Sequence, residues 1–514
     1  MTDPLMLTAA RSEAEAPALL ARLGRLRRDV SQDAAQILAG WLPALGHDSF
    51  RFSAENLAHY LALRRADLSG LQPGLQRLGL STLGRCEAHV MASLDSVTAA
   101  LARLAGHGDA VFPATVAFSA GPAALLERQN VIFGRDPDGP RTRIMVTLPS
   151  EAAFDGGLIP ALIANGADCV RINCAHDGER AWAAMIAITR RAASEQGRDV
   201  RVVMDLAGPK IRIREVVAPA DTRLVEGNRF LVTAAPVAGS RLPQITLSHA
   251  ALLDHLGVGA NLSLDDGKLA ARVVARSAGV VTAEVTRARA KGLKLKPEKG
   301  VNLPGADLAI PALTEEDCSH LDFVAANADI VGYSFVQTPD DVRRLAAELG
   351  RRMQGRPLPA LMLKIETPLA VRNLPRLLVQ AGALMPVAVM IARGDLAVEI
   401  GMARLSEMQE EILWLCEAAH VPVVWATQVL ETLVKEGAAT RAETTDAAMG
   451  QRAECVMLNK GPHLAEAVAF LDGILRRMDR HQAKKSARLA ALGSWDGPQQ
   501  LQDEPQRPVN APAV

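Results

Sequence analysis

Eight short apolar runs from residue 143 onward constrain the fold more than any other feature of this chain. They are RIMVTLP (143–149), CVRINC (169–174), VRVVMDL (200–206), DIVGYSF (329–335), LPALMLKIE (358–366), VAVMIARGD (387–395), VPVVWAT (421–427) and CVMLNK (455–460). Near-continuous hydrophobicity, rather than alternation, marks strands buried on both faces, as in all-parallel sheets. Amphipathic stretches such as AWAAMIAITRRAASEQG and SEMQEEILWLCEAAH lie between them, long enough to serve as crossover helices. Eight strand–helix units predict an α/β fold, a (β/α)8 TIM barrel spanning 136–214 and 300–480.

The repeat is broken once. Between the third and fourth runs, RFLVTA, QITLS, ANLSLDDGKLAARVV and GVVTAEVTRA read as short strands with turn signals. They predict an all-β domain over 215–299, inserted after strand 3 on the face where barrel active sites lie. Residues 1–135 carry leucines at 19, 20, 23 and 26 with arginines between them and read as an added helical region, with no chemistry of its own. The stretch 481–514, rich in Gln, Pro and Ala, reads as a disordered tail.

Composition narrows the partners. Lys plus Arg and Asp plus Glu both number 57, so the formal net charge is zero and no electrostatic argument favours nucleic acid or a membrane surface. Aromatics make up only 3% of residues, too few for base-stacking platforms. No apolar run approaches the roughly 18–20 residues of a membrane span, and the acidic N-terminus lacks the features of a signal peptide. Six scattered cysteines form no CxxC pair, and the odd separation of Cys169 and Cys174 puts them on opposite strand faces. Core cysteines in a reducing, cytoplasmic compartment are expected.

Barrel chemistry collects at the C-terminal strand ends. Those ends carry Thr147, Arg171 with Asn173, Asp205, Ser334, Lys364 with Glu366, Asp395 and Thr427. Residues two apart share a strand face, so Arg171 travels with Asn173 and Lys364 with Glu366. Each alone has a structural explanation; converging charges do not, because burial costs several kcal/mol, in the order of magnitude usual for ions, unless they are paired or metal-bound. Glu366 and Asp395 suit a hard divalent cation, Mg2+ or Mn2+, which takes one or two protein carboxylates and completes its shell with substrate oxygens and water.

At this point LMLKIETPLAVRNL, MIARGDLAVEI, VVWATQVLETLVKEGAATRAE and KGVNLPGADLAIPALTEED resemble the pyruvate kinase family in order and spacing. RINCAH and MDLAGPKIR resemble its strand-two and strand-three motifs more loosely, and the likeness covers 141–478. The resemblance implies phosphoryl transfer between phosphoenolpyruvate and ADP, giving pyruvate and ATP in glycolysis, with a homo-oligomer as an option. It implies Glu366 and Asp395 as metal ligands and Lys364, Arg171, Thr427 and Lys210 as the catalytic set. Ala392, Arg393, Gly394 and Asp395 at a helix start would receive the substrate carboxylate, Ser334 and Thr427 would join them, and Thr427 would face proton addition. Asn173, His176, Arg212 and Lys299 would lie on the nucleotide side. Asp265-Asp266-Gly267 reads equally as a lid turn over the nucleotide or as a plain hairpin turn.

Four departures from the family pattern stand out. Ala175 replaces a serine, and Leu206-Ala207 replace a Thr-Lys pair, which removes two ligands of the family's potassium ion. Asn459-Lys460-Gly461-Pro462 replaces the strand-eight Ser-Gly-Glu-Thr-Ala motif, and the C-terminal allosteric domain is expected to be absent. Lys210 stands where potassium-independent family members carry lysine, so its ammonium near Asp205 is expected to replace the ion. A metal-dependent lyase or decarboxylase acting on a 2-oxo acid, or a non-catalytic ligand-binding homologue, are the alternatives.

Overall fold

The computed structural model describes residues 4–46, 48–277, 279–305 and 310–488. Eight strands, β1 (Arg143–Thr147), β2 (Cys169–Asn173), β3 (Arg201–Asp205), β4 (Ile330–Tyr333), β5 (Ala360–Ile365), β6 (Val387–Ala392), β7 (Val423–Ala426) and β8 (Cys455–Leu458), close into one parallel barrel. Each pairs with its neighbours in sequence, and β8 closes on β1 through Arg143 opposite Cys455. All eight expected strands are present, and the fold class is as the sequence predicts.

Strand periodicity explains both the core and the site. Met145, Cys169, Val203, Ile330, Ala360 with Met362, Ala388 with Met390, Val424, Cys455 and Met457 fill the interior with apolar side chains. Two residues further along the same faces come Thr147, Arg171, Asp205, Gly332, Lys364, Ala392, Ala426 and Asn459. One alternation therefore builds an apolar plug below and polar chemistry above. Cys169 belongs to this inner layer and Cys174 to the shell outside the barrel, the opposite faces that odd spacing predicts. All six cysteines are free thiols.

The inserted domain is a seven-stranded, mainly antiparallel sheet with its own core around Phe230, Val232, Ile245, Leu262 and Val281. It runs from Ile213 to Asn302, slightly wider than the expected 215–299. Helix starts follow local chemistry. Thr314 and Asp317 form a capping box on α8 (Glu315–Asn327), and Thr338 and Asp341 do so on α9 (Pro339–Met353). Thr367 caps α10 (Pro368–Leu384), with Pro368 in its first turn.

Before the barrel lie α1 (Pro4–Ala39), α2 (Arg51–Leu63), α3 (Gln72–Arg77), α4 (Val90–Leu104) and α5 (Val116–Phe133), while α6 (Leu158–Ala164) and α7 (Glu179–Glu195) follow β1 and β2. Ile132 and Phe133 at the end of α5 plug the lower mouth of the barrel. The region docks on α10 and on α12 (Met402–Ala418). Asn56 donates to the carbonyls of Glu87 (2.7 Å) and Ala418 (2.8 Å), and Arg128 donates to that of His420 (2.8 Å). Gly382 is required here, because a Cβ would lie 2.3 Å from the Phe50 ring.

Part of the stretch expected as a disordered tail is folded. Gln482–Ala483 pair with Ser486–Ala487 in a small hairpin whose tip is held by Lys484 on Glu454 and Lys485 on Glu87. The rest of that stretch, 489–514, lies outside the described residues. Among the described residues no helix is long and apolar enough to cross a membrane.

Candidate active site

Three cations and three carboxylates interlock at the upper end of the barrel. Asp205, only 1% exposed, accepts from Arg171 Nε at 2.9 Å and lies 3.2 Å from Lys364 Nζ. Arg171 also donates to Thr147 Oγ1 at 3.0 Å. Lys364 reaches Glu366 at 3.3 Å and donates to Ser334 Oγ at 2.6 Å, while the Ser334 hydroxyl donates to the Leu206 carbonyl at 2.6 Å. Glu366 accepts the Phe335 N–H at 2.6 Å. Lys210 donates to both oxygens of Asp395, at 2.9 and 3.3 Å, and stands 3.8 Å from Asp266.

Each ionisation state follows from these neighbours. Burial works against the Asp205 charge, yet Lys364 and Arg171 together hold its carboxyl below the usual range. Burial likewise opposes the Lys364 ammonium, and Asp205 and Glu366 outweigh it, so the group is held above the ordinary lysine range. Burial, reinforced by Asp395, pushes Glu366 up, with Lys364 offsetting only part. For Lys210, burial is again overcome by Asp395.

Lys210 departs from its expected position. It serves Asp395 and Asp266, not Asp205, whose Oδ2 is taken by Arg171 and Lys364, and the Gly208-Pro209 turn carries the chain outward. Ser334 uses its hydroxyl to hold Lys364. Arg393 turns its side chain away from the mouth, pairing with Asp446 at 2.8 Å and donating to the carbonyls of Ala426 (2.9 Å) and Thr427 (2.7 Å), with its guanidinium 4.4 Å from the Trp425 ring centre. What remains for a substrate there is backbone at the start of α11 (Arg393–Ile400), after Ala392. One of those amides, Gly394 N, donates to Thr427 Oγ1 at 2.8 Å. Thr427 is held at φ +68°, a costly conformation for a β-branched residue, which Arg393 enforces.

Of the residues expected on the nucleotide side, Asn173 accepts through Oδ1 from Ala175 N at 3.1 Å and fixes the turn that carries His176. Burial lowers the His176 pKa, and the cations Lys460 and Arg212 lower it further. Arg212 donates to the Glu298 carbonyl at 2.9 Å, and Lys299 stands apart, paired with Asp265 at 3.1 Å. Asp265-Asp266-Gly267 forms a left-handed hairpin turn, with φ of +52°, +53° and +83°. Its tip rests on the barrel, since a Cβ on Gly267 would be 3.6 Å from Val398.

The donor set fits a hard divalent cation. Glu366 and Asp395 are oxygen ligands whose mutual repulsion a cation would relieve. Among the described residues no three His, Cys, Asp or Glu side chains form a complete metal cage.

Three further residues escape sequence reasoning. Buried Asp317 accepts the Ala207 N–H at 2.9 Å and the Gly208 N–H at 3.2 Å, so it fixes the loop after β3. Its signal was the Thr-x-x-Asp capping spacing, which marks a helix start but not a second task. Gly332 leaves room for Asp205, whose Oδ1 would be 2.4 Å from a Cβ there. Asp446 anchors Arg393 and has no local signature.

The sequence profile described as pyruvate kinase, barrel domain, matches residues 139–465. The chain is 33% identical over 347 residues to the pyruvate kinase of Methylorubrum extorquens, covering 66% of this chain and 69% of that protein. It is 32% identical over 336 residues to that of Corynebacterium glutamicum, covering 63% and 67%. The pyruvate kinase of Dictyostelium discoideum is 30% identical over 349 residues, 66% of each. A barrel interrupted after its third strand, a mouth lined by these charges and this breadth of similarity together make the chain a member of the pyruvate kinase family.

Proposed function

We propose that the protein transfers the phosphoryl group of phosphoenolpyruvate to ADP, yielding pyruvate and ATP, with Mg2+ or Mn2+ held by Glu366 and Asp395. The observation that carries this reading is Lys364, buried yet charged, aimed by Asp205, Glu366 and Ser334 into the mouth between the two metal carboxylates and Arg171. Phosphoryl transfer asks little covalent help of a protein; it asks for positioning and for neutralised oxygens.

When bound, the divalent cation supplies Lewis-acid neutralisation of substrate oxygens. Amides at the start of α11 receive the substrate carboxylate, as helix N-termini do for anions. Arg171, locked by Asp205 and Thr147, faces the transferring phosphoryl group, and His176 and Arg212 face the nucleotide phosphates. As the bond from phosphorus to the enol oxygen breaks and the ADP oxygen takes its place, the Lys364 ammonium offsets the charge left on the enolate. The Thr427 hydroxyl stands at the face where the enolate carbon gains its proton.

Lys210 supports potassium independence by a route other than the one the sequence suggests: it places a fixed positive charge on Asp395. A coupled assay for pyruvate formation, with Lys364→Met as control, tests the activity. Comparing rates with and without potassium in sodium-free buffer tests the second claim, and a large potassium activation overturns it. Asn459-Lys460 in place of the family's strand-eight motif favours lyase chemistry on a 2-oxo acid as a second reading. Metal-dependent binding of oxalate with no pyruvate formed from phosphoenolpyruvate and ADP would select it.

A further inference from the structure

A second concavity lies between the N-terminal helices and the helices that flank the barrel. The end of α1, the stretch after it and α2 form one wall; the start of α9 and the length of α10 form the other. Its volume is about 1240 Å³, ample for a small molecule. Five of its nineteen lining residues are arginine and none is acidic. In a chain of zero formal net charge, that is a local excess of cations.

The guanidiniums come from both walls: Arg64 and Arg65 at the end of α2, Arg343 on α9, Arg372 and Arg376 on α10. Several are set in place. Arg64 donates to the Tyr60 hydroxyl at 2.7 Å and lies 5.0 Å from the Trp414 ring centre. Arg343 is steered by Gln380, itself only 5% exposed, whose Oε1 accepts at 2.7 Å. Asp33 and Asp340 answer Arg65 and Arg343 from outside the cleft. Arg64 and Arg376 have no carboxylate partner among the described residues. Between the charges the cleft presents Ile37, Trp41, Leu61, Val379 and Leu384, an apolar wall.

Guanidiniums present paired N–H donors that match phosphate oxygens and are weakly hydrated, so they lose little on binding. Apolar surface between them adds affinity for a body that a bare ion lacks. We propose that this cleft is a binding site for a small organic phosphate: a phosphate group held across α2, α9 and α10, with an apolar or planar body against Ile37, Leu61 and Leu384. The ligand bridges the N-terminal region and the barrel, which gives residues 1–135 a part in ligand recognition. The cleft meets the pocket beside Lys210 only at Arg372, and the proposal stands whether or not the proposed reaction does.

The test is calorimetric titration of the full chain with 2-naphthyl phosphate, in the presence of Mg2+ and saturating oxalate to occupy the catalytic mouth. The expected result is saturable binding at one site, at least about tenfold tighter than inorganic phosphate. Arg376→Glu, an exposed change on a side chain without partners among the described residues, should weaken it at least about tenfold while the melting profile is unchanged. Arg343→Ala should act in the same direction. Undiminished binding to Arg376→Glu overturns the proposal, as does equal affinity for inorganic phosphate, loss of binding when oxalate is present, or no saturable binding at millimolar ligand.

Discussion

Replacing Asp205 by asparagine keeps the shape of the side chain and removes one charge from a balanced set of six. Asp205 touches Arg171 at 2.9 Å and Lys364 at 3.2 Å, with 1% of its surface exposed. At an effective dielectric constant of about 20, each contact represents roughly 5 kcal/mol of gross attraction. Most of that is offset by the desolvation of all three ions, and breaking such a buried pair typically leaves a net loss of about 3–5 kcal/mol. Asp205→Asn should therefore lower unfolding free energy by that amount, read by urea denaturation of the barrel signal. The loss comes from two stranded cations more than from a missing attraction. Adding Lys364→Met to Asp205→Asn should thus recover at least about 1 kcal/mol of stability while leaving pyruvate formation abolished. If Asp205→Asn denatures within about 0.5 kcal/mol of the natural chain, or if the double change is less stable than the single one, the reasoning fails.

Phe133→Ala should cost about 3–5 kcal/mol, because the ring is fully buried among the inner barrel residues; a loss under about 1 kcal/mol would show that the lower mouth closes without it. His420, whose pKa burial lowers to about 4, stays neutral in the folded chain while the unfolded chain takes a proton below about 6.5. Folding stability should consequently fall as pH drops from about 6.5 to about 4, by roughly 3 kcal/mol from this group, and His420→Gln should flatten that limb in denaturation curves measured across the range. Chelating divalent metal should abolish pyruvate formation and lower the denaturation midpoint, because a cation that relieves the repulsion between Glu366 and Asp395 binds the folded chain alone. Asp446→Ala should reduce kcat by about tenfold or more without unfolding the chain, because Arg393 then loses the anchor from which it holds Thr427.

Most of the barrel was legible in the sequence because its signals are local. A strand buried on both faces announces itself in a handful of consecutive residues, and the polar residue at its end sits at a fixed two-residue offset. That is why Arg171, Asp205, Lys364 and Glu366 could be placed on one inner rim. Partners across the rim carry no such offset. Lys210 has several carboxylates within reach of a flexible four-carbon stem, and only the assembled structure shows that it meets Asp395. The docking of the N-terminal helices was equally hidden, since Asn56 and Arg128 find their acceptors on carbonyls around residues 418–420.

Leu206 and Ala207 show why loss of a motif and loss of a site differ. Their side chains are apolar where the family carries ligating groups. Their backbone nevertheless holds the mouth together: the Leu206 carbonyl receives Ser334, its N–H donates to the Gly332 carbonyl at 2.9 Å, and the Ala207 N–H is taken by Asp317. Through Ser334, that loop fixes the direction of Lys364. Backbone groups are indifferent to side-chain identity, so the loop can shed its potassium ligands and keep Lys364 aimed, provided the missing positive charge is supplied elsewhere. In the proposed mechanism Lys210 supplies it on Asp395. Lys210→Gln tests this division of labour: Lys364 keeps its partners, so stability should change by less than about 1 kcal/mol, while the rate of pyruvate formation should fall and, if the charge is what matters, recover in part with added potassium. A rate that does not fall would mean that Asp395 needs no resident cation.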